Sequence, residues 1–148
     1  MNSAPIALLL ALPLLAAACG APSKPAPAPT PPLRTVAEQV AQGGHVYAAS
    51  CARCHGDAGQ GSKKAPPLVG AGALPLDPRP NSKRSARFHT ALDIAQFATH
   101  KMPPDEDDRA KLIERDYWAV LAFALQANGV ALHDPIGPTN AALIVLHP

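Results

Sequence analysis

The stretch Cys51-Ala52-Arg53-Cys54-His55 contains two cysteines that are separated by two residues and followed at once by a histidine. This is the pattern to which a c-type haem is attached, because each thiol can form a thioether bond with one vinyl group of the porphyrin. One helical turn between Cys51 and Cys54 places both sulfur atoms on the same side of the ring. His55 then lies under the iron, where its imidazole can serve as an axial ligand. The motif therefore predicts one covalently bound haem c.

A bare pair of cysteines at this spacing also occurs in disulfides, zinc sites and thioredoxin-like redox centres. A zinc site with four ligands needs two further cysteines or histidines at suitable spacing, and the only other cysteine, Cys19, stands in a separate segment. A thioredoxin-like centre follows a strand in a βαβ pattern, which this sequence does not show. The histidine after the second cysteine therefore favours haem over these alternatives.

The composition fits one small domain built around a cofactor. The chain has 148 residues and a formal net charge of +2, which gives no reason to expect nucleic acid as a partner. Aromatic residues make up only 4% of the chain, which is few for a core of this size. A buried porphyrin would supply the missing flat apolar surface.

The apolar run from Ile6 to Ala18 is too short to cross a bilayer as a helix, which takes about 20 residues. At this position it predicts the apolar part of a signal peptide. The run ends in Leu15-Ala16-Ala17-Ala18-Cys19, and small residues directly before a cysteine resemble the lipobox of bacterial lipoproteins. That resemblance implies lipidation of Cys19 and a membrane anchor. The alternative is a plain secretory signal, which would give a soluble periplasmic protein.

Proline occurs at nearly every second or third position of residues 21–32, which predicts an extended polyproline II linker. The chain therefore divides into four parts. We expect a lipoprotein signal peptide in residues 1–18 and a lipidated cysteine with a proline-rich linker in residues 19–33. A folded domain follows in residues 34–130, and residues 131–148 form a tail to which the sequence assigns no role.

The folded domain is predicted to be all-α. Apolar residues recur every three or four positions from Val36 to Cys51, which predicts a helix that leads to the haem cysteines. We expect Gly43 to permit the close approach of another helix, although a break at Gly43-Gly44 is the alternative. A second helix is expected from about Asp108 to Asn128, and a shorter one from Ala86 to His100. Together they predict a bundle of about three to five helices around the haem.

Met102 is the only methionine after the leader, and it stands directly before two prolines. A thioether opposite a histidine raises the potential of a haem and leaves no open position on the iron. His100 and His89 are the competing ligands, and a buried methionine that fills a gap in the core is the other alternative. We therefore expect Met102 to be the second axial ligand.

The loop Pro66-Pro67-Leu68 fits a haem site as well. One of its carbonyls could accept a hydrogen bond from Nδ1 of His55 and so fix the tautomer of that ring. The side chain of Leu68 could cover the porphyrin face. An ordinary proline-containing loop is the alternative at this position.

Four motifs occur in this order along the chain: Gly43-x-x-x-Tyr47-x-x-x-Cys51-Ala52-Arg53-Cys54-His55-Gly56, Pro67-Leu68-Val69-Gly70, Met102-Pro103 and Ala122-Phe123-Ala124-Leu125. Together they resemble the class I, mono-haem cytochromes c, over a region from about Thr35 to Gly129. The resemblance implies that His55 and Met102 are the axial ligands and that the carbonyl of Pro67 holds His55. It also implies that the first and last helices cross at Gly43 and Phe123. A basic, proline-rich insertion around Leu74 to Arg87 departs from the family pattern and suggests a partner surface or a flexible flap.

These features predict an electron carrier rather than an enzyme. We expect it to pass single electrons between redox partners, from a dehydrogenase donor to an oxidase or reductase acceptor, at the periplasmic face of a bacterial membrane. One alternative is a haem-containing electron-entry subunit of a dehydrogenase or oxidase complex. The other is a peroxidase-like or gas-binding haem module with a displaceable methionine.

Overall fold

The computed structural model describes residues 31–80, 82 and 84–147. The predicted signal peptide, Cys19 and most of the proline-rich linker lie outside these residues. The described part contains helices α1 (Val36–Ser50), α2 (Ala52–His55), α3 (Ala91–Lys101), α4 (Glu106–Arg109) and α5 (Glu114–Ala127), and a 3₁₀ turn at Ala141–Leu143. Apart from one isolated bridge between Thr90 and Val145, the described residues form no strand. The predicted all-α fold is confirmed.

The first helix, α1, begins with a reciprocal capping arrangement. The hydroxyl of Thr35 accepts a hydrogen bond from the Glu38 N–H at 3.1 Å, and the Glu38 carboxylate accepts one from the Thr35 N–H at 3.0 Å. These bonds satisfy backbone donors that a helix start leaves without partners. The helix then continues through Gly43 and Gly44 to Ser50, so the alternative of a break at the glycine pair is wrong.

The crossing of α1 and α5 positions the end of α1. A Cβ atom on Gly43 would lie 2.0 Å from the carbonyl oxygen of Ala119, so only glycine allows the two helices to approach this closely. One turn further along α1, the Tyr47 and Phe123 rings pack with their centroids 5.3 Å apart. The structure therefore places the helix crossing at Gly43 and Phe123, as the sequence predicts.

The shorter helix, predicted to start at Ala86, starts later: α3 begins at Ala91. Residues 88–91 are engaged by other segments of the chain: the Phe88 N–H donates to the Leu76 carbonyl at 3.0 Å, and the Ala91 N–H donates to the Ile144 carbonyl at 3.0 Å. The helix begins where the carboxylate of Asp93 accepts the Thr90 N–H at 2.8 Å. It ends at Lys101, because the next residue, Met102, has the extended backbone that is favoured before a proline.

The last predicted helix is divided in two by a turn at residues 110–113. The short helix α4 begins where Asp105 accepts the Asp108 N–H at 3.0 Å. The helix α5 begins only at Glu114, where Asp116 accepts the Ile113 N–H at 3.1 Å. The prediction of one helix from Asp108 was wrong because two different acids each start a helix of their own.

The tail after residue 130 packs on the same core. The buried amide of Gln39 donates to the Ile136 carbonyl at 2.7 Å and accepts the Ile136 N–H at 2.8 Å. Ala141 is fully buried, and the Leu146 N–H donates to the His89 carbonyl at 2.8 Å. These contacts hold the tail against α1 and against the start of α3.

The insertion around residues 74–87 folds around one cation. The Arg84 side chain is buried and lies 3.8 Å from the centre of the Phe88 ring. Its guanidinium donates to four backbone carbonyls of the insertion, those of Pro75, Leu76, Asp77 and Ala86. The hydrogen bonds and the aromatic face offset the cost of burying the charge. The described part of the insertion is therefore organised by its own arginine.

None of the helices within the described residues is both long enough and apolar enough to cross a membrane.

Candidate haem site

The two cysteines of the motif lie on one helical turn at the end of α1. The Cys51 N–H donates to the Tyr47 carbonyl at 2.8 Å, and the His55 N–H donates to the Cys51 carbonyl at 3.0 Å. The thiols of Cys51 and Cys54 are free and partly exposed, and no disulfide joins them. Both sulfur atoms are therefore available for thioether bonds from the same turn of helix.

The environment of these thiols does not suit the alternatives to haem. Burial, together with the neighbouring thiol of Cys54, raises the pKa of Cys51 to about 11. Thioredoxin-like redox pairs need a lowered thiol pKa, because the thiolate is their nucleophile. Among the described residues, no three His, Cys, Asp or Glu side chains group into a metal-binding cluster. The raised pKa of Cys51 is the opposite of what a redox-active thiol needs, and the described residues form no zinc site with three ligands.

The ring of His55 is buried and held from one side. Its Nδ1 lies 2.7 Å from the carbonyl oxygen of Pro66. A carbonyl can only accept, so this hydrogen bond places the proton on Nδ1 and leaves the lone pair on Nε2. A neutral imidazole with a free Nε2 is the form that binds iron. The chemistry and the orientation of this ring fit an axial ligand of a haem attached at the two cysteines.

The carbonyl that holds His55 belongs to Pro66, whereas the family resemblance assigned this role to Pro67. Pro66 takes this role because Pro67 packs against Gly61. The contact is so close that a Cβ atom on Gly61 would lie 2.7 Å from the Pro67 nitrogen. Gly61 has a φ of +83°, and its N–H donates to the His55 carbonyl at 2.7 Å. This arrangement seats the ring of Pro67 on the turn and directs the preceding carbonyl towards the imidazole.

Leu68 is anchored through its backbone. Its N–H donates to the Gly59 carbonyl at 2.8 Å, and its carbonyl accepts from the amide of Asn128 at 2.8 Å. The oxygen of the same Asn128 amide accepts the Gly70 N–H at 3.0 Å. The end of α5 therefore fixes the loop that follows the haem motif. The sequence predicted Asn128 only as a helix stop, and its ability to donate and accept at once was the signal for this second role.

Met102 lies half-buried at the end of α3. Its carbonyl accepts a hydrogen bond from the hydroxyl of Tyr117 on α5 at 2.9 Å. The next carbonyl, that of the buried Pro103, accepts from the guanidinium of Arg109 on α4 at 2.7 Å. Side chains from two helices thus hold the two carbonyls that follow the predicted sulfur ligand in the chain. The sequence gave no sign of these roles for Tyr117 and Arg109.

The two competing histidines are placed differently from Met102. His100 is exposed on α3, and its Nδ1 lies 2.7 Å from the Gln96 carbonyl of the preceding turn. His89 is exposed in the extended segment before α3. Both therefore have the exposure of solvated surface histidines, whereas Met102 is half-buried and followed by a buried proline.

The helical fold and the Cys-x-x-Cys-His motif on one turn of helix define a c-type cytochrome domain. Residues 38–123 match the family model described as cytochrome c oxidase, cbb3-type, subunit III. The chain belongs to this family. Membership implies a covalently bound haem c and electron transfer through its iron.

One solved structure supports the same assignment. A chain of the sulfane dehydrogenase SoxCD from Paracoccus pantotrophus is 30% identical and superposes with a TM-score of 0.53. The match covers 72% of this chain and 52% of that chain, so this protein corresponds to about half of the SoxCD chain. A comparison with proteins of curated function finds no match.

Proposed function

We propose that this protein is a membrane-tethered electron carrier whose single haem is attached to Cys51 and Cys54 and is bound axially by His55 and Met102. The hydrogen bond from Nδ1 of His55 to the Pro66 carbonyl carries this proposal. It fixes the imidazole of the residue that follows Cys54 and leaves Nε2 of the neutral ring free to bind iron. A haem bound by these residues would supply one-electron redox chemistry between ferric and ferrous iron.

The chain's own residues keep the site rigid. The Pro66 carbonyl holds His55 in one tautomer and one orientation, so the nitrogen ligand is the same in both oxidation states. The Tyr117 hydroxyl and the Arg109 guanidinium hold the two carbonyls next to the Met102 side chain. Two fixed axial ligands leave no open position for a substrate, which favours electron transfer over catalysis at the iron.

The axial ligands are tested by spectra of the matured protein in both oxidation states. We expect the mass of one added haem, a far-red methionine band in the ferric protein and no binding of carbon monoxide by the ferrous protein. Met102→Ala should abolish the band, lower the potential and allow carbon monoxide to bind. His100→Ala is the matched control and should change none of these. Ready binding of carbon monoxide by the unmodified protein would instead favour the peroxidase-like or gas-binding alternative.

The membrane tether is proposed from the sequence before residue 31. The apolar run and the small residues before Cys19 support lipidation of that cysteine, and cytochrome c domains are typically exported. Two or more acyl chains would bind the membrane stably, whereas one would not. Cys19→Ser should move the protein from the membrane fraction to the soluble fraction, with Ser23→Ala as a control in the same segment. An unchanged distribution of the Cys19→Ser variant would exclude the anchor.

A second candidate function is an electron-entry subunit fixed in a larger complex. It is favoured by the family description, which names an oxidase subunit, and by the similarity to a chain of a dehydrogenase. Native purification without cross-linking separates the two. An electron carrier should leave the membrane, after detergent treatment, as a monomer, whereas a fixed subunit should remain with stoichiometric partners.

A further inference from the structure

We propose that Arg53 and Asp108 are positioning residues that keep the Met102 segment closed over the iron. This inference rests on the proposed ligation by His55 and Met102. Arg53 lies inside the haem motif, at a position where haem attachment requires no particular side chain.

The pair joins two segments that are far apart in the sequence. Arg53 lies between the two haem cysteines on α2, and its guanidinium forms an ion pair with the carboxylate of Asp108 on α4. The side chain of Asp108 is 27% exposed, against 66% for Asp77, which forms an ion pair with Arg87 in the insertion. The Asp108 carboxylate is therefore less exposed to solvent than the Asp77 carboxylate.

On the α4 side, hydrogen bonds connect the helix that carries Asp108 to the residues that follow Met102. Asp105 starts α4 by accepting the Asp108 N–H, which fixes Asp108 at the beginning of the helix. From the same helix, the Arg109 guanidinium donates to the Pro103 carbonyl at 2.7 Å and to the Pro104 carbonyl at 3.3 Å. Helix α4 is therefore bonded directly to the two prolines that follow Met102.

On the α2 side, Arg53 lies between the two cysteines to which the porphyrin would be attached. Thioether bonds at Cys51 and Cys54 would fix the backbone of Arg53 relative to the haem. An outward movement of the Met102 segment, with α4 attached to it, would have to break the ion pair. The Arg53–Asp108 pair thus opposes the opening that releases the sulfur from the iron.

The experiment measures how fast imidazole replaces Met102 in the ferric holoprotein. At saturating imidazole, the rate of loss of the far-red methionine band is limited by dissociation of the sulfur. Arg53→Gln and Asp108→Asn should each increase this rate about two- to fivefold, the range expected for an exposed ion pair. The double variant should be no faster than the single ones, and Arg53→Lys should retain most of the slow rate. Added salt should speed up the unmodified protein and leave both single variants unchanged.

Two matched controls separate this role from a general loss of surface charge. Lys111→Gln removes the other cation bound by Asp108, at 2.8 Å, and leaves the pair with Arg53 in place. Arg87→Gln removes the exposed ion pair with Asp77 in the insertion. Both variants should exchange at the rate of the unmodified protein.

The possible failures are distinguishable. If the unmodified protein shows the methionine band but Arg53→Gln and Asp108→Asn exchange no faster, the positioning role is wrong and the proposed ligation stands. If the effects of the two single variants add in the double variant, the residues do not act as a pair and the inference is again overturned. If the unmodified protein lacks the band, the proposed Met102 ligation itself is wrong.

Discussion

The two sides of the candidate haem site are held in different ways. On the His55 side, residues 56–70 have backbone hydrogen bonds of their own, such as those from the Gly61 N–H to the His55 carbonyl and from the Leu68 N–H to the Gly59 carbonyl, in addition to bonds from the side chains of Tyr47 and Asn128. On the Met102 side, the backbone is held by side chains from α4 and α5, namely Arg109 and Tyr117. Backbone bonds survive most side-chain substitutions, whereas a side-chain contact is lost with one. We therefore expect the histidine side to fail only together with the fold and the methionine side to loosen by itself.

The largest effect is expected at Gly61, on the histidine side. Gly61→Ala places a Cβ atom 2.7 Å from the Pro67 nitrogen in a backbone with a φ of +83°. Strain and overpacking together should lower the free energy of unfolding by about 3 kcal/mol. Denaturant unfolding of the holoprotein measures this loss. Gly70→Ala has a similar φ of +89° but nothing within 4 Å, so it should lose only about 1 kcal/mol. Equal losses in both variants would show that the contact with Pro67 is unimportant.

The next effect is expected at Asn128, which ties the same loop to α5. Asn128→Ala removes the hydrogen bonds to the Leu68 carbonyl and to the Gly70 N–H. Leaving these groups without partners should cost about 2 kcal/mol of unfolding free energy. Asn128→Asp keeps the acceptor for Gly70 but places a carboxylate oxygen against the carbonyls of Leu68 and Ala124 at the C-terminal end of α5, so its loss should be at least as large as that of Asn128→Ala. A smaller loss in the aspartate variant would contradict the assignment of the amide as a donor to these carbonyls.

A smaller and more selective effect is expected at Tyr117. Tyr117→Phe removes the hydrogen bond to the Met102 carbonyl, which is worth about 1 kcal/mol. The rate of methionine displacement by imidazole should therefore rise by roughly fivefold. Tyr47→Phe is the counterpart on the histidine side, because its hydroxyl donates to the Gly56 carbonyl. It should lower the unfolding free energy by about the same amount and leave the displacement rate unchanged. The same change of rate in both variants would remove the contrast between the two sides.

The smallest effect is expected from pH. Hydrogen bonds from Lys111 first, and then from Arg53, lower the pKa of Asp108. The stabilisation from its carboxylate is therefore complete above the ordinary carboxyl pKa of about 4 and is lost as the pH falls through the lowered value. Imidazole is protonated in that acidic range and cannot displace the methionine, so the effect is measured there by denaturant unfolding. As the pH falls, the unfolding midpoint of the unmodified protein should approach that of Asp108→Asn. A constant difference between the two midpoints down to the lowest pH at which both proteins stay folded would contradict this.

Patterns within one segment predicted much of the fold. The helix from Val36, the close approach at Gly43 and the helical class follow from local periodicity and from the properties of glycine, and the structure confirms them. The starts of α3 and α5 were predicted too early. Residues 88–91 have helix-forming neighbours, but their backbone groups bond to residues 76, 144 and 146, which lie far away in the sequence. Local propensity cannot anticipate such partners.

The sequence by itself determined the chemistry of the site, because two thiols and an imidazole at fixed spacing can attach and bind a haem whatever surrounds them. Only the tertiary structure decided that Pro66 rather than Pro67 holds the imidazole of His55. It also decided that Tyr117 and Arg109 donate to the carbonyls of Met102 and Pro103, and that Arg53 forms an ion pair with Asp108. The physical reason is that covalent attachment depends on spacing along one helical turn. The direction of a carbonyl and the partner of a side chain depend instead on how distant segments pack together.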